Sequence, residues 1–373
     1  MKKFVYDNNN NTYSDGQSVY NIKLEPRGIR EKLWLHDRDI IKQAKDYSNS
    51  NYMVKFNRND NTCEVYGEIL YYAFLKSCGA NCTKYELAQL SQMVNGVEII
   101  HHGVVCPTYK NNRNEFDFSG YDLFRYYNLS KMDNSENLPI NTIASYIKCV
   151  KSLGFADDED TIRQIKRDLI KMTFFDYVTY QTDRHWENIA FILNSEKQEN
   201  KNDSNVRVAS SFDNGCCFLF KRKEVGLNTI SNQLRVAKKH NDTLTYSAII
   251  DQLSNKCVSY LGIKTSMCNY SIDDYDVYQP RLKVGAVDNW EQIYLNELCY
   301  AISKDEELSQ FFKDKELFKI DNARKVLESQ GDTVPESLMY LANELVNHRV
   351  NQVYKTLEKY TNPELSDSSN KEM

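Results

Sequence analysis

Short β-prone runs early in the chain give way to helical periodicity after about Cys106, and that change sets the expected architecture. Residues 51–56 (NYMVKF) are rich in strand formers and bounded by polar clusters, so they predict a strand. Glu64 to Ser77 then carries Val65, Ile69, Tyr72, Ala73 and Lys76 at helical spacing, and Gly79 follows as a C-terminal cap. Residues 97–106 (VEIIHHGVVC) predict a hairpin pair of strands. Beyond them, 142–153 and 160–180 are helical, the latter with Ile162, Ile165, Leu169, Met172 and Phe175 on one face. Further helices are expected at 287–303, 305–314 and 336–360, with Pro335 placed to start the last. Asn8–Asn11, Asn194–Asn205 and Asn362–Met373 lack apolar periodicity and predict loops or ends. The fold class is therefore α+β with two lobes: a β-rich part with one main helix over 1–106, a mainly α-helical part over 107–361, and a disordered tail over 362–373.

Composition narrows the class. An apolar content of 41% with 26 Tyr and 16 Phe describes a chain that folds and buries a core. A net charge of −5 supplies no positive field for a polyanion, so direct nucleic-acid binding is not expected. The opening MKKFVYDNNNN meets Asp7 and an asparagine run where a signal peptide needs apolar residues, and no stretch approaches a membrane span. The ten cysteines are scattered without a CxxC pair, which fits reduced cytoplasmic thiols better than a zinc site or a disulfide framework.

The chemistry concentrates between Asp183 and Asp213. In Tyr180-Gln-Thr-Asp183-Arg184-His185-Trp-Glu-Asn188, a helix ends, a polar hexad follows, and a β-prone apolar run comes next. A carboxylate and a carboxamide five positions apart have the spacing of a kinase catalytic loop, where the Asp orients the attacking hydroxyl and the Asn holds a metal. Val206-Arg-Val-Ala209 reads as a returning strand ending in Phe212-Asp213-Asn-Gly215, and such a hairpin would bring Asp213 back beside Asn188. Two oxygen ligands suit Mg²⁺, which fills its other positions with phosphate and water. The plainer alternative is that Asp183 caps a helix and Phe-Asp-Asn-Gly is a β-turn without a ligand.

Lys55 lies mid-strand on the face of Met53, away from Val54 and Phe56, and needs an anion there. Glu68, in the following helix, can supply one, as in the lysine–glutamate pair that clamps nucleotide phosphates; Glu64 is an equally acidic neighbour, and a solvated edge lysine is the plainer reading. No GxGxxG or GxxxxGK[ST] occurs, so the phosphate loop is sought in Glu25-Pro-Arg27-Gly28-Ile-Arg30-Glu-Lys32, which offers one glycine and three cations. His101 and His102 are adjacent and would face opposite sides of a strand, and the serine-hydrolase GxSxG is absent.

Taken together, Tyr52-Met-Val-Lys55-Phe56, the helix around Glu68, Asp183-Arg-His185-x-x-Asn188 and Phe212-Asp213-x-Gly215 resemble the HipA-like kinases, in their compact CtkA-like form. The resemblance spans about residues 25–220 and implies a kinase-like fold with Ser/Thr protein kinase activity using ATP and Mg²⁺. It implies that Lys55 grips the phosphates, Glu68 positions Lys55, Asp183 is the base, His185 supports the loop, and Asn188 and Asp213 bind metal. Arg27, Gly28 and Arg30 would contact the nucleotide, with Val104, Val105 and Cys106 lining the adenine site. Only some 25 residues precede the phosphate loop, so the N-terminal subdomain that helps HipA contact its antitoxin is missing and such a partner is not expected. The loop also lacks a serine acceptor for inhibitory autophosphorylation. Phosphoinositide kinases share the Asp-Arg-His-x-x-Asn pattern, so a lipid kinase is the enzymatic alternative; a pseudokinase-like binding effector and a helical adaptor are the non-enzymatic ones.

Overall fold

The computed structural model describes residues 1–24, 32–37, 51–57, 62–108, 110, 114–130, 142–156, 158–181, 183–194, 206–254 and 290–361. Along the chain run β1 (Lys2–Asp7), β2 (Thr12–Ser14), β3 (Val19–Leu24), β4 (Lys32–Asp37), β5 (Asn51–Phe56), α1 (Glu64–Ser77), β6 (Glu86–Val94) and β7 (Val97–Pro107). They are followed by β8 (Glu115–Ser119), α2 (Gly120–Ser130), α3 (Ile143–Ser152), α4 (Glu159–Val178), β9 (Ala190–Asn194) and β10 (Val206–Val208). The chain closes with α5 (Glu224–Lys239), α6 (Thr243–Ser254), α7 (Trp290–Ser303), α8 (Glu306–Phe311), α9 (Ile320–Gln330) and α10 (Glu336–Thr361). These elements make a mixed α/β fold in two units: Met1–Phe116 with Ser210–Asp242 and Ile320–Ala342, and Asp117–Ala209 with Thr243–Lys319 and Asn343–Met373.

In the first unit, seven strands close into a barrel in the order β1-β2-β3-β4-β5-β7-β6, with β6 returning to β1 in parallel. Alternation does the sorting: Leu33 and Leu35 of β4, Tyr52 and Val54 of β5, and Val105 of β7 join Phe4, Tyr20 and Leu90 inside, which turns Lys32, Met53 and Lys55 to the other face. The 97–106 run is one strand rather than the expected pair. β7 is unbroken, and its partner is β6, joined through Asn95 (φ 51°) and Gly96 (φ 80°). Two successive positive-φ residues make the two-residue turn whose twist suits a hairpin, and Asn-Gly is its strongest sequence signal.

Helix α1 is buried on nearly every side, from Ile69 through Leu75, because α9 packs along it. It is entered at Cys63, whose N–H donates to Phe220 O at 2.9 Å. On its inner side Gly67 meets Gly215: a Cβ at Gly67 would sit 2.8 Å from Gly215 O. The stretch carrying Asp213 is thereby drawn against the helix carrying Glu68.

The second unit holds a sheet in the order β10-β9-β8 and most of the helices. Thr142 caps α3 and Asp158 caps α4, accepting the Thr161 N–H at 2.6 Å. Helix α4 buries Phe174 against Phe312 and Phe318, at centroid distances of 4.5 and 4.9 Å. Three of the helices named from periodicity, α3, α4 and α10, are recovered nearly to their ends, α7 is described from Trp290, and α8 is shorter than expected. Helices α2, α5, α6 and α9 were not anticipated. Among the described residues no helix is long and apolar enough to cross a membrane, and eight cysteines are free thiols. The tail 362–373 and all but Asn194 of the 194–205 insert lie outside the described residues.

Candidate active site

The first unit gathers four charged side chains. Lys55 is turned off the barrel core, paired in register with Val104, and almost fully buried. Its ammonium donates to Glu68 Oε1 at 3.1 Å, Tyr85 OH at 3.1 Å and Asp213 Oδ1 at 3.3 Å. Lys32, its direct cross-strand neighbour, reaches the other oxygen of the same carboxylate, Asp213 Oδ2, at 3.4 Å. Like charges placed opposite each other on adjacent strands repel unless anions hold them, and Asp213 serves both. Glu68 completes the arrangement: its Oε2 accepts the Asn214 N–H at 2.7 Å. Glu64, the rival acid, is instead bonded by Thr62 Oγ1 at 2.8 Å.

The 211–215 turn is shaped for this. Asp213 adopts a left-handed backbone, φ 54°, a conformation that Asp tolerates better than most residues. Its N–H donates to Tyr85 OH at 3.3 Å. Just upstream, Ser211 Oγ donates to Asn214 Oδ1 at 3.2 Å and contacts Tyr71 OH at 3.2 Å. Burial first, then the Glu68, Cys106 and Asp213 charges, push the Tyr85 hydroxyl well above the ordinary tyrosine range. Burial likewise pushes the Cys106 thiol up to about 11, with Lys55 working against it.

In the second unit, the hexad sits where α4 runs out. Tyr180 is left-handed (φ 57°), unusual for a bulky residue, and its ring lies 4.4 Å from the buried guanidinium of Arg349, which also covers Tyr177 at 4.2 Å. Arg184, wholly buried, grips Asp176 with Nε and Nη2 at 2.8 and 3.0 Å and donates to Asn188 O at 2.7 Å. This bidentate pair ties the end of α4 to the far end of the loop. Asn188 Nδ2 donates to Asp183 O at 2.6 Å, which directs the amide nitrogen into the loop, with Oδ1 as the accepting end of the side chain. His185 Nδ1 accepts the Glu187 N–H, and its Nε2 lies 3.2 Å from Asn188 Nδ2 and 3.7 Å from Asp183 Oδ1. The Asp183 side chain is 35% exposed.

Of the residues expected from sequence, Lys55, Glu68 and Asp213 come together in the first unit, and Asp183, His185 and Asn188 in the second. Val104 and Cys106 lie on the Lys55 face of β7, whereas Val105 faces the other way, into the barrel core. Arg27, Gly28 and Arg30 fall outside the described residues. Sequence reasoning passed over Asp176 and Tyr85, and gave Lys32 only as one of the phosphate-loop cations. Its place on the Lys55 face follows from strand alternation, since it lies off-phase from Leu33 and Leu35. The Asp176–Arg184 pair could have been suspected from an acid in the last turn of an apolar helix. Tyr85 carries no local signal. Among the described residues no group of three or more His, Cys, Asp or Glu side chains is placed to hold a metal. The Asp213 carboxylate and the Asn188 amide oxygen are each the kind of donor that Mg²⁺ takes alongside phosphate and water.

No family model matches the chain, and no curated protein matches it in sequence. In structure it is similar to a Helicobacter pylori proinflammatory kinase, CtkA: the match covers 91% of this chain and 96% of that one, with a TM-score of 0.56 and 13% identity. A Shewanella oneidensis MR-1 HipA, solved with HipB and its operator DNA, matches over 93% of this chain and 66% of that one, with a TM-score of 0.39 and 13% identity.

Proposed function

From the fold similarity of this chain to the kinase CtkA and the chemistry of its two residue groups, we propose that it is an ATP- and Mg²⁺-dependent kinase transferring the γ-phosphate to Ser or Thr hydroxyls of a protein. The observation that carries the reading is the buried Lys55–Glu68 pair sharing Asp213 with Lys32. Such a cluster is costly to bury and contributes little net stability over an apolar core, which favours a functional reason for keeping it. In this reading Asp213 and Asn188 would hold Mg²⁺, whose chemistry when bound with ATP is to neutralise charge on the phosphates. Lys55 and Lys32 take phosphate oxygens, Glu68 fixes Lys55, and Val104 with Cys106 forms the apolar wall for the base. Asp183 receives the proton of the acceptor hydroxyl, and His185 holds the loop through Glu187 N–H. Arg27, Gly28 and Arg30 belong to the same reading as phosphate-loop residues.

The test is incubation with γ-labelled ATP and Mg²⁺, offering the chain itself, a mixed protein substrate and phosphoinositide vesicles, with Asp183→Asn as control. Label on serine or threonine that the control loses by about 10²-fold or more supports the proposal. Label in the vesicles alone replaces it with a lipid kinase, and binding of Mg·ATP without any transfer replaces it with a pseudokinase. Mn²⁺ titration adds a check on the metal ligands: Asp213→Asn and Asn188→Ala should each weaken nucleotide-dependent Mn²⁺ binding.

A further inference from the structure

Resting on the kinase reading, we infer that Tyr85 is a positioning residue that holds Lys55 and Asp213 in register for a metal-bound nucleotide. Its side chain is fully buried, and its oxygen accepts from two donors that both belong to the charged cluster: Lys55 Nζ at 3.1 Å and Asp213 N–H at 3.3 Å. A buried tyrosine hydroxyl ordinarily finds some partner. Here it finds the backbone of the proposed metal ligand and the cation proposed to grip phosphate, which a core tyrosine has no cause to do.

The segment that delivers Tyr85 is fastened to the same turn. Cys82 bridges Ser211 in parallel, Thr83 N–H donates to Ser211 O at 3.3 Å, and Thr83 Oγ1 donates to Ser210 O at 3.4 Å. Two consecutive N–H groups of the turn, those of Asp213 and Asn214, are thus received by Tyr85 and Glu68, and both receivers also accept from Lys55. The ammonium is the hub through which the left-handed backbone at Asp213 is set. With Asp213 engaged by a metal, Tyr85 and Glu68 would remain as the partners that keep Lys55 in place.

The experiment compares the full chain with Tyr85→Phe and with 3-fluorotyrosine at position 85, whose oxygen is a poorer acceptor. Affinity for a non-hydrolysable ATP analogue is measured with Mg²⁺ and with EDTA, and hydrogen exchange of the Asp213 amide is followed without nucleotide. Tyr85→Phe should raise Asp213 exchange and weaken the Mg²⁺-bound analogue by roughly tenfold, with a smaller loss in EDTA, and fluorotyrosine should fall between. Unchanged Mg²⁺-dependent affinity in Tyr85→Phe, or an equal loss in Mg²⁺ and EDTA, overturns the positioning role while the kinase reading stands. If Tyr85→Phe does not fold, wild-type affinity in the fluorotyrosine protein overturns it instead. A wild-type chain that binds no Mg²⁺–nucleotide overturns the kinase reading and this role with it.

Discussion

Glu68 and Asn214 are joined by a 2.7 Å hydrogen bond from the Asn214 N–H to Glu68 Oε2, while the other oxygen of that carboxylate holds Lys55 at 3.1 Å. One buried acid therefore links helix α1, strand β5 and the 211–215 turn. Removing it strands a buried ammonium, so Glu68→Ala should lower unfolding free energy by about 3–5 kcal/mol. Converting both partners, Lys55→Met with Glu68→Leu, should cost less than the two single changes added together. Urea denaturation of the single and double variants measures both quantities; simple additivity would show that the pair is not coupled.

The loop in the second unit depends on a fork, not merely on a charge. Arg184→Lys keeps the cation but cannot span both Asp176 oxygens and Asn188 O. A loss of about 2 kcal/mol or more is expected in denaturation. Arg163→Ala, which removes an exposed pair with Asp160, should stay within about 0.5 kcal/mol. Equal effects from the two substitutions would contradict the structural role given to Arg184.

Gly67 poses a contest between two effects of known sign. Alanine in a helix interior gains up to ~1 kcal/mol over glycine. Its methyl would stand 2.8 Å from Gly215 O, which is backbone and cannot swing aside. Overpacking of ~1–3 kcal/mol should win, so Gly67→Ala should lower the melting temperature even though it improves helix propensity. Gly226, also helical but with nothing near its Cβ position, should respond in the opposite direction to the same change.

Alkaline pH should unfold the chain early. Burial raises the thiols of Cys63, Cys78, Cys149 and Cys299 from 9.0 to about 12. The folded state thus keeps protons that the unfolded state releases. Stability from these groups is fully present below pH 9 and is lost as pH rises toward 12, by ~1.4 kcal/mol per pH unit for each thiol. Denaturant midpoints measured under reducing conditions from pH 7 to 11 should hold level and then fall; a flat profile through pH 11 would remove burial as the cause.

What could be read before folding follows from which interactions are local. The Lys55 face, the span of α1 and the Asp158-capped start of α4 are written in neighbouring residues, so alternation, helical period and caps suffice. The partner of β7 was missed because a strand is defined by its mate, although Asn95-Gly96 marked the turn. Tyr85 and Lys32 gain their meaning from Asp213, 128 and 181 positions away, and no window along the chain contains both ends of such a bond. The Val105 side chain was misassigned for a simpler reason: three consecutive strand residues cannot all face one side.

Because α1 is covered by α9, which lies in the last-made segment of its unit, the ribosome presents an apolar helix well before its lid exists. At ~5–20 residues per second, the wait exceeds about ten seconds. During that interval the apolar residues of α1, Ile69 through Leu75, lack the cover that α9 gives them in the folded chain.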